Sequence, residues 1–456
     1  MSLASAPVSI PASFKDPAGF LFYEDGVLYR QIHESYSPHY RRLMDSGLYD
    51  RLTVAGLLIP HKEVSHLKIR PEKIPFISYP YEWSFGQLKD AALLTLEIQK
   101  IALEHGMSLK DASAYNVQWI GSRPVFVDSL SFEIYPENLP WTAYGQFCRH
   151  FLAPLALMAL CDLRMGRMMR VYTDGVPLDL AARLLPRRIW LNFHLLCHLA
   201  WHGHFQKNSQ PRISKQNGPP HKISARSLRG ILESLKDAVE SLQIKTKTEW
   251  AAYYEKEGSC HSRAAAHKKE LVERYLDLLR PKIVWDLGAN TGFFSRLASE
   301  RGCTTIAMDL DPACVEINYL EARRRKDPCL LPLWMDLAEP SPALGWNHKE
   351  RLSLGDRAPA DLVMALALVH HLAITHNLPF SHLAEYLSRI GTGLLIEFIP
   401  KSDPQMEKLL GHRADIFDRY TREDFETEFG RYFEIMESQP VCETSRILYW
   451  MRRREK

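Results

Sequence analysis

The sequence predicts an α/β protein whose C-terminal part is a doubly wound, mainly parallel sheet closed by an antiparallel hairpin, preceded by an α+β N-terminal half. Three observations carry this expectation. From residue 281 onward short apolar runs alternate with helical patterns. Near the end, "YFEIMES" and "SRILYWMR" read as two strands separated by too few residues for a crossover, so they pair antiparallel. Between the halves, "QKNSQPRISKQNGPPHKISAR" (206–226) is polar, basic and nearly free of large apolar side chains, which marks a linker or mobile loop. At 456 residues the chain is about three times a ~150-residue domain, so it has room for two or more cores. The reading divides it into an N-terminal domain (1–205), the linker, a helical connector (227–280) and a C-terminal domain (281–456).

Composition narrows the class. With 46% apolar and 24% charged residues the chain has the make-up of a soluble globular protein. Its most apolar stretch, "FLAPLALMALC" (151–161), falls short of the ~20 residues that span a bilayer and reads as a core helix. The first twenty residues have neither a charged n-region nor an apolar h-region, so no secretion signal is expected. Eight cysteines without a CxxC pair suit reduced thiols and a cytoplasmic location. A net charge of +3 is too small to argue for a nucleic-acid partner, although the linker and "MRRREK" are locally basic.

In the N-terminal half an amphipathic helix is expected at 88–105, followed by "LKDASAYNVQWIGSRPVFVDSLSFE" (109–133). Asp111 and Asn116 lie five apart in a loop, and two strands then end at Asp128. This is similar to the catalytic loop of protein kinases and aminoglycoside kinases, which implies Asp111 as base and Asn116 with Asp128 as magnesium holders. "FISYPYEW" would be the hinge strand. The Gly-rich loop and the strand lysine of those families are missing, and "GVLYRQI" offers only Arg30 after a hairpin turn. The expectation is a degenerate kinase-like fold without phosphoryl transfer. Further on, "FHLLCHLAWHGH" spaces His194, His198 and His202 by four, with His204 beyond. At ~1.5 Å rise per residue the outer two lie ~12 Å apart, so at most two can share an ion, and a solvated or interface face explains them as well. No metal site is assigned.

The helical patterns "SLRGILESLKDAVESLQI" and "AAAHKKELVERYLDLLR" lead into the C-terminal domain. Its strands are expected at 283–287, 304–309, 331–335, 361–366 and 393–398, and its helices near 292–301, 312–325, 380–390 and 404–413. Thr421 and Asp424 in "TREDFETEFG" have capping-box spacing.

Ligands of such sheets bind at the carboxyl ends of the strands. There "IVWDLGANTGFF" (283–294) places Asp286, Gly288, Asn290 and Gly292. The spacing G-x-x-x-G differs from the G-x-G-x-x-G that seats a dinucleotide pyrophosphate, and Asp286 would repel one; an acid there suits a cation such as an ammonium. The second strand ends in Asp309, placed to accept both hydroxyls of a ribose, and the third in Asp336 and Leu337, where the acid can accept from an adenine amino group. Each acid alone could equally cap a helix; together they form the signal.

These segments resemble the class I S-adenosylmethionine-dependent methyltransferases over 281–451: "DLGANTG" is similar to their first motif, "MDLD" to their second and "MDLA" to their third. The resemblance implies S-adenosylmethionine as cofactor, with Asp286 and Gly288 near its methionine end, Asp309 at the ribose and Asp336 at the adenine. More narrowly, "PSPALGW", "LALVHHLAI", "IEFIPKSDPQ" and "DIFDRYT" resemble bacterial methyltransferase-like proteins, some of them named for nodulation. The resemblance leaves the methyl acceptor open. Candidate bases are His370 and His371 beyond the fourth strand and Glu397 at the end of the fifth, each of which could instead be a packing or capping group. Lys401 and Asp403 follow in a loop that could touch substrate. "EPSPALGW" follows the third strand and reads as a structural loop or lid. Two other classes stay in view: a nucleotide-dependent oxidoreductase and a non-enzymatic scaffold.

Overall fold

The computed structural model describes residues 8–187, 192–201, 223–244, 263–411 and 416–455. They form two compact units. The first takes the described residues up to Ile120, those from Pro124 to 244, and Leu344–Arg351; the second takes Gly121–Arg123, those from 263 to Ala343, and Leu352 onward.

The first unit opens with five strands, β1 (Val8–Ser9), β2 (Gly19–Glu24), β3 (Val27–Ile32), β4 (His61–Ser65) and β5 (Lys68–Pro71), in an antiparallel sheet ordered β1-β2-β3-β5-β4. The β2–β3 hairpin closes on Asp25 and Gly26, both at positive φ, the two-residue turn that an Asp-Gly pair favours. On β3 the buried residues are Arg30 and Ile32, two apart and so on one face. After the sheet comes α1 (Phe85–Glu104), which starts three residues before the expected 88. Ser84 and Gln87 fix its start as a reciprocal capping box, each side chain accepting the other's backbone N–H. Two short pairs follow, β6 (Met107–Leu109) with β9 (Phe132–Ile134) and β7 (Val117–Ile120) with β8 (Arg123–Phe126). A five-stranded antiparallel sheet, a long helix and a loop carrying Asp111 and Asn116 follow in the order of the kinase-like fold.

Two expectations change here. "FISYPYEW" is no strand: Pro80–Glu82 is a 3-10 turn whose start is tied by the Tyr79 N–H to Glu82. The helix expected in the connector, α2 (Ala225–Ser241), packs on α1 in the first unit. Lys89 Nζ donates to the carbonyls of Glu240 and Leu242 at its C-terminal end, where helix carbonyls lack partners, and Lys100 pairs with Glu233 at 2.7 Å. Most of the linker, 206–222, lies outside the described residues.

The second unit is the doubly wound sheet. Its strands are β10 (Ile283–Leu287), β11 (Thr304–Asp309), β12 (Leu330–Trp334), β13 (Ala360–Ala365), β14 (Gly391–Phe398), β15 (Phe433–Pro440) and β16 (Ile447–Arg453), ordered β12-β11-β10-β13-β14-β16-β15. The first five run parallel; β16 pairs antiparallel with both β14 and β15. This is the sheet that the methyltransferase resemblance implies. Pro332 is tolerated because β12 is an edge strand, where one flank needs no ladder donor. The helices are α3 (Arg263–Leu279), α4 (Phe293–Ser299), α5 (Pro312–Arg325), α6 (Phe380–Ile390), α7 (Pro404–Leu410) and α8 (Arg422–Gly430). Leu271, Val272, Tyr275 and Leu276 of α3 form an i, i+1, i+4, i+5 stripe that packs against Val284, Leu362, Met364 and Leu395 of the sheet. Thr421 caps α8 as expected, its hydroxyl accepting the Asp424 N–H at 3.1 Å. Among the described residues no helix is long and apolar enough to cross a membrane.

Candidate functional site

At the carboxyl ends of β10, β11 and β12 the second unit gathers the three acids. Asp286 is the penultimate residue of β10 and is 2% exposed. Ser295, one turn into α4, donates its hydroxyl to Asp286 at 2.5 Å. Burial pushes the Asp286 carboxyl up to about 6 against that hydrogen bond, with the charge of Asp309 adding to the rise. Gly288, Asn290 and Gly292 all sit at positive φ, so the turn passes through left-handed backbone three times in five residues. Two of these are also tight for space, Gly292 much the more so. A Cβ on Gly292 would stand 2.1 Å from the Asn318 side chain, and one on Gly288 would meet Leu368 at 3.2 Å.

Asp309 is tied to the same turn. One oxygen accepts the Asn290 N–H at 2.7 Å and the other the Asp311 N–H at 2.9 Å. Burial raises its carboxyl to about 6 in spite of these donors. The Leu310 N–H is a third backbone donor to it, and since a carboxylate offers about four lone-pair positions, one stays available beyond the backbone contacts. Asp336 caps its own loop through the Ala338 N–H at 2.9 Å, and the Met335 N–H donates to the Asp309 carbonyl at 2.8 Å, holding the second and third strand ends together. Leu337 is half-buried beside it. Neither Asp286 nor Asp309 makes an ion pair among the described residues.

Beyond β13 the chain turns at Ala367, a non-glycine residue at φ 50°, and reaches His370 and His371. Their rings lie 4.1 Å apart at 39°. His370 is 2% exposed, its Nδ1 is buried without a hydrogen-bond partner, and its imidazole is held well below the usual range by burial, with His371, Arg446 and Lys268 adding to the effect. Burial also lowers His371, which is half-exposed. Burial thus favours the neutral form of both rings.

Glu397 is completely buried at the end of β14. One carboxylate oxygen accepts from Lys268 Nζ at 2.6 Å and from the Ala367 N–H at 2.8 Å; the other is buried with no partner. Lys268 also lies 5.0 Å over the Phe294 ring. Asp403, a possible substrate contact in the sequence, is 3% exposed and spoken for: it caps α7 through the Gln405 N–H and holds Arg446 in a two-point pair at 2.8 and 3.1 Å. Burial would raise its carboxyl, but Arg446 keeps it below the usual range. Lys401 is half-exposed in the same loop.

Lys268, Ser295 and Arg446 are the site residues that sequence reasoning missed. Lys268 carried a signal: it sits three and four residues before Leu271 and Val272, on the apolar stripe of α3, where a charge needs a partner. Ser295 and Arg446 had none. Beyond these loops, Ala373, Leu378, Pro379, Phe380, Phe417 and Tyr420 help to line a mainly apolar cleft of about 520 Å³, with Asp418, Arg419, Asp424 and Glu428 also on its walls.

The histidine run of the first unit does other work. His194 Nδ1 and His198 Nε2 both contact the Ser234 hydroxyl of α2, at 2.8 and 2.9 Å, and His198 Nδ1 meets Tyr144 at 2.7 Å. His202 and His204 lie outside the described residues. Among the described residues no three His, Cys, Asp or Glu side chains are grouped to hold a metal.

Compared with known proteins, the chain matches no family model. It is 30% identical to the nodulation protein NoeA of Rhizobium meliloti (strain 1021), over the whole of this chain and 98% of that protein. The chain therefore belongs to the NoeA family. Among solved structures it is similar to the bifunctional kinase-methyltransferase WbdD (16% identity, 44% of this chain and 42% of that one, TM-score 0.30). It is also similar to the N-methyltransferase NodS of Bradyrhizobium japonicum WM9 in complex with S-adenosylhomocysteine (14%, 42% and 88%, TM-score 0.32).

Proposed function

We propose that this member of the NoeA family is an S-adenosylmethionine-dependent methyltransferase that methylates an oxygen or nitrogen acceptor. The observation that carries the proposal is Asp309: a half-buried carboxylate at the end of the second strand, bound to the first-motif turn through Asn290, with acceptor capacity left over and no cation on it. Asp286 and Gly288 would face the methionine end, Asn290 and Gly292 would shape the turn, Asp309 would take the ribose hydroxyls, and Asp336 with Leu337 the adenine. Bound there, S-adenosylmethionine supplies an electrophilic methyl group on a sulfonium, and transfer is an in-line displacement that needs alignment and, for most acceptors, loss of a proton.

That proton would go to His371, which is half-exposed and close to the strand end; His370, the other candidate, is buried and held too far below the usual imidazole range to take a proton readily, and would orient its neighbour. Glu397 serves better as an orienter than as a base, because one oxygen is engaged by both Lys268 and the Ala367 N–H and the side chain is completely buried. The apolar cleft beside Phe380 and Tyr420 would receive the acceptor, since it is built from loops that follow β13 and β14. The first unit would present the acceptor or regulate the reaction.

Calorimetry with S-adenosylhomocysteine is the test. The folded wild type is expected to bind, and Asp309→Ala to weaken binding by about 1–3 kcal/mol, the scale of lost hydrogen bonds to a charged group. Equal affinity in a folded variant sinks the site assignment. A thermal shift with NAD or NADP and none with S-adenosylhomocysteine would favour the oxidoreductase reading instead.

A further inference from the structure

The kinase-like loop of the first unit brings its three polar residues together. Asp111 accepts the Ser113 N–H at 2.9 Å and is within hydrogen-bonding reach of Asn116, and its carboxyl is raised by burial and by the nearby charge of Asp128. The Asn116 amide donates to Ser131 at 3.1 Å, and Ser131 donates in turn to Asp128 at 2.7 Å. Asn116 and Asp128 would be the donor set of a divalent ion, with Asp111, the expected base, beside them. Such ions demand several free oxygens around them.

Both oxygens of Asp128 are engaged, with three of about four acceptor positions occupied. One accepts the Leu130 N–H at 2.8 Å and Arg30 Nη1 at 2.9 Å; the other accepts Ser131. The other end of the Arg30 guanidinium holds Asp16, whose second oxygen accepts the Ala18 N–H. Arg30 is 8% exposed and its Nε is buried without a partner, so this side chain is held in place by its two carboxylates. It reaches them because β3 alternates and places Arg30 on the inward face with Ile32. The donor set does not fit a metal while Arg30 is there: its charge repels a second cation and its N–H groups consume the oxygens that a metal would use.

We infer that Arg30 is a tethered cation standing in for a divalent metal, so that the first unit keeps its Asp16, Asp111 and Asp128 cluster closed and carries no metal-dependent phosphoryl transfer. Phosphoryl transfer in related loops needs metal ions to neutralise the phosphates, and an arginine clamped by two carboxylates cannot be exchanged for one without losing both pairs.

Manganese is the probe, added to the full chain and followed by thermal unfolding and by isothermal titration. The wild type is expected to show neither a shift nor binding that depends on Asp128. Arg30→Met is expected to melt lower and to recover part of the loss on adding manganese, and Arg30→Met/Asp128→Asn to recover none. Manganese or Mg-ATP binding to the wild type that disappears in Asp128→Asn would overturn the inference, as would a folded Arg30→Met variant with no response to the metal. If Arg30→Met fails to fold, the wild-type against Asp128→Asn comparison still decides: equal, absent responses support the closed cluster, and a response confined to the wild type refutes it.

Discussion

Both units bury carboxylates, and they neutralise them in opposite ways. In the first, Asp16 and Asp128 clasp the guanidinium of Arg30. In the second, Asp286 and Asp309 receive only a hydroxyl and backbone N–H groups, and burial drives both up to about 6. A fold that supplies its own counter-charge has finished with that acid. A fold that leaves two acids without an ion pair at strand ends, with Lys268 and Arg296 acting on Asp286 only through space, holds them at a cost that donors or positive charge on the proposed ligand would offset. The contrast separates a closed cluster from the proposed binding site without reference to sequence motifs.

Glu397 tests the contrast from inside the second unit, because it lies at a strand end yet is paired. Lys268→Met should strand a carboxylate with no exposure and cost about 3–5 kcal/mol of stability, the range for removing one partner of a buried pair. Urea unfolding measures it, and the double variant Lys268→Met/Glu397→Gln should recover a large part. If Lys268→Met is neutral, pairing does not distinguish the two kinds of acid.

Asp286 should behave the other way with pH. Its carboxyl lies near 6 when folded against about 3.9 when unfolded, so the native state binds the proton more tightly. Stability from this group is present below pH ~4 and lost as pH rises through ~6. The stability of the ligand-free wild type minus that of Asp286→Asn should therefore fall by about 2 kcal/mol between pH 4 and pH 7. A flat difference across that window would mean that Asp286 is neutralised by the protein after all. The smallest effect is expected at Arg389 and Glu385, an i, i+4 pair on the solvent side of α6 whose arginine is 69% exposed. Arg389→Ala should change the unfolding free energy by no more than ~0.5 kcal/mol, which would show that burial, and not pairing alone, sets the scale.

What the sequence made legible follows from periodicity. The strands of the second unit fall within two residues of expectation because buried parallel strands are short, apolar and bounded by turns, and the three strand-end acids follow from them. The partners of those acids were hidden. Ser295 and Arg446 are polar residues in ordinary positions, and only the folded chain brings them to Asp286 and Asp403. Two charges did announce themselves by falling on buried faces: Lys268 on the stripe of α3 and Arg30 in phase with Ile32 on β3. In each case the out-of-place cation turned out to hold a buried or half-buried acid. "FISYPYEW" misled because aromatic residues with strand propensity were read as a strand where Pro80 opens a turn.

The strand order of the second unit also limits the routes by which it can assemble. β15 precedes β16 in the chain, yet in the sheet it lies outside it, and its one neighbour is β16. Emerging first, β15 has no docking surface: the open flank of β14 is reserved for a strand that comes later. The two must zip into a hairpin and add as a unit, or β16 must add first and then recruit its predecessor. Either route leaves β14, with Glu397 at its end, as an unpaired edge until this step. Edges of that kind attract foreign strands. During that interval the nascent sheet is most exposed to mispairing, and the charged residues Glu434 and Glu437 on β15, with Arg452 and Arg453 on β16, are placed to make the wrong partner a poor one.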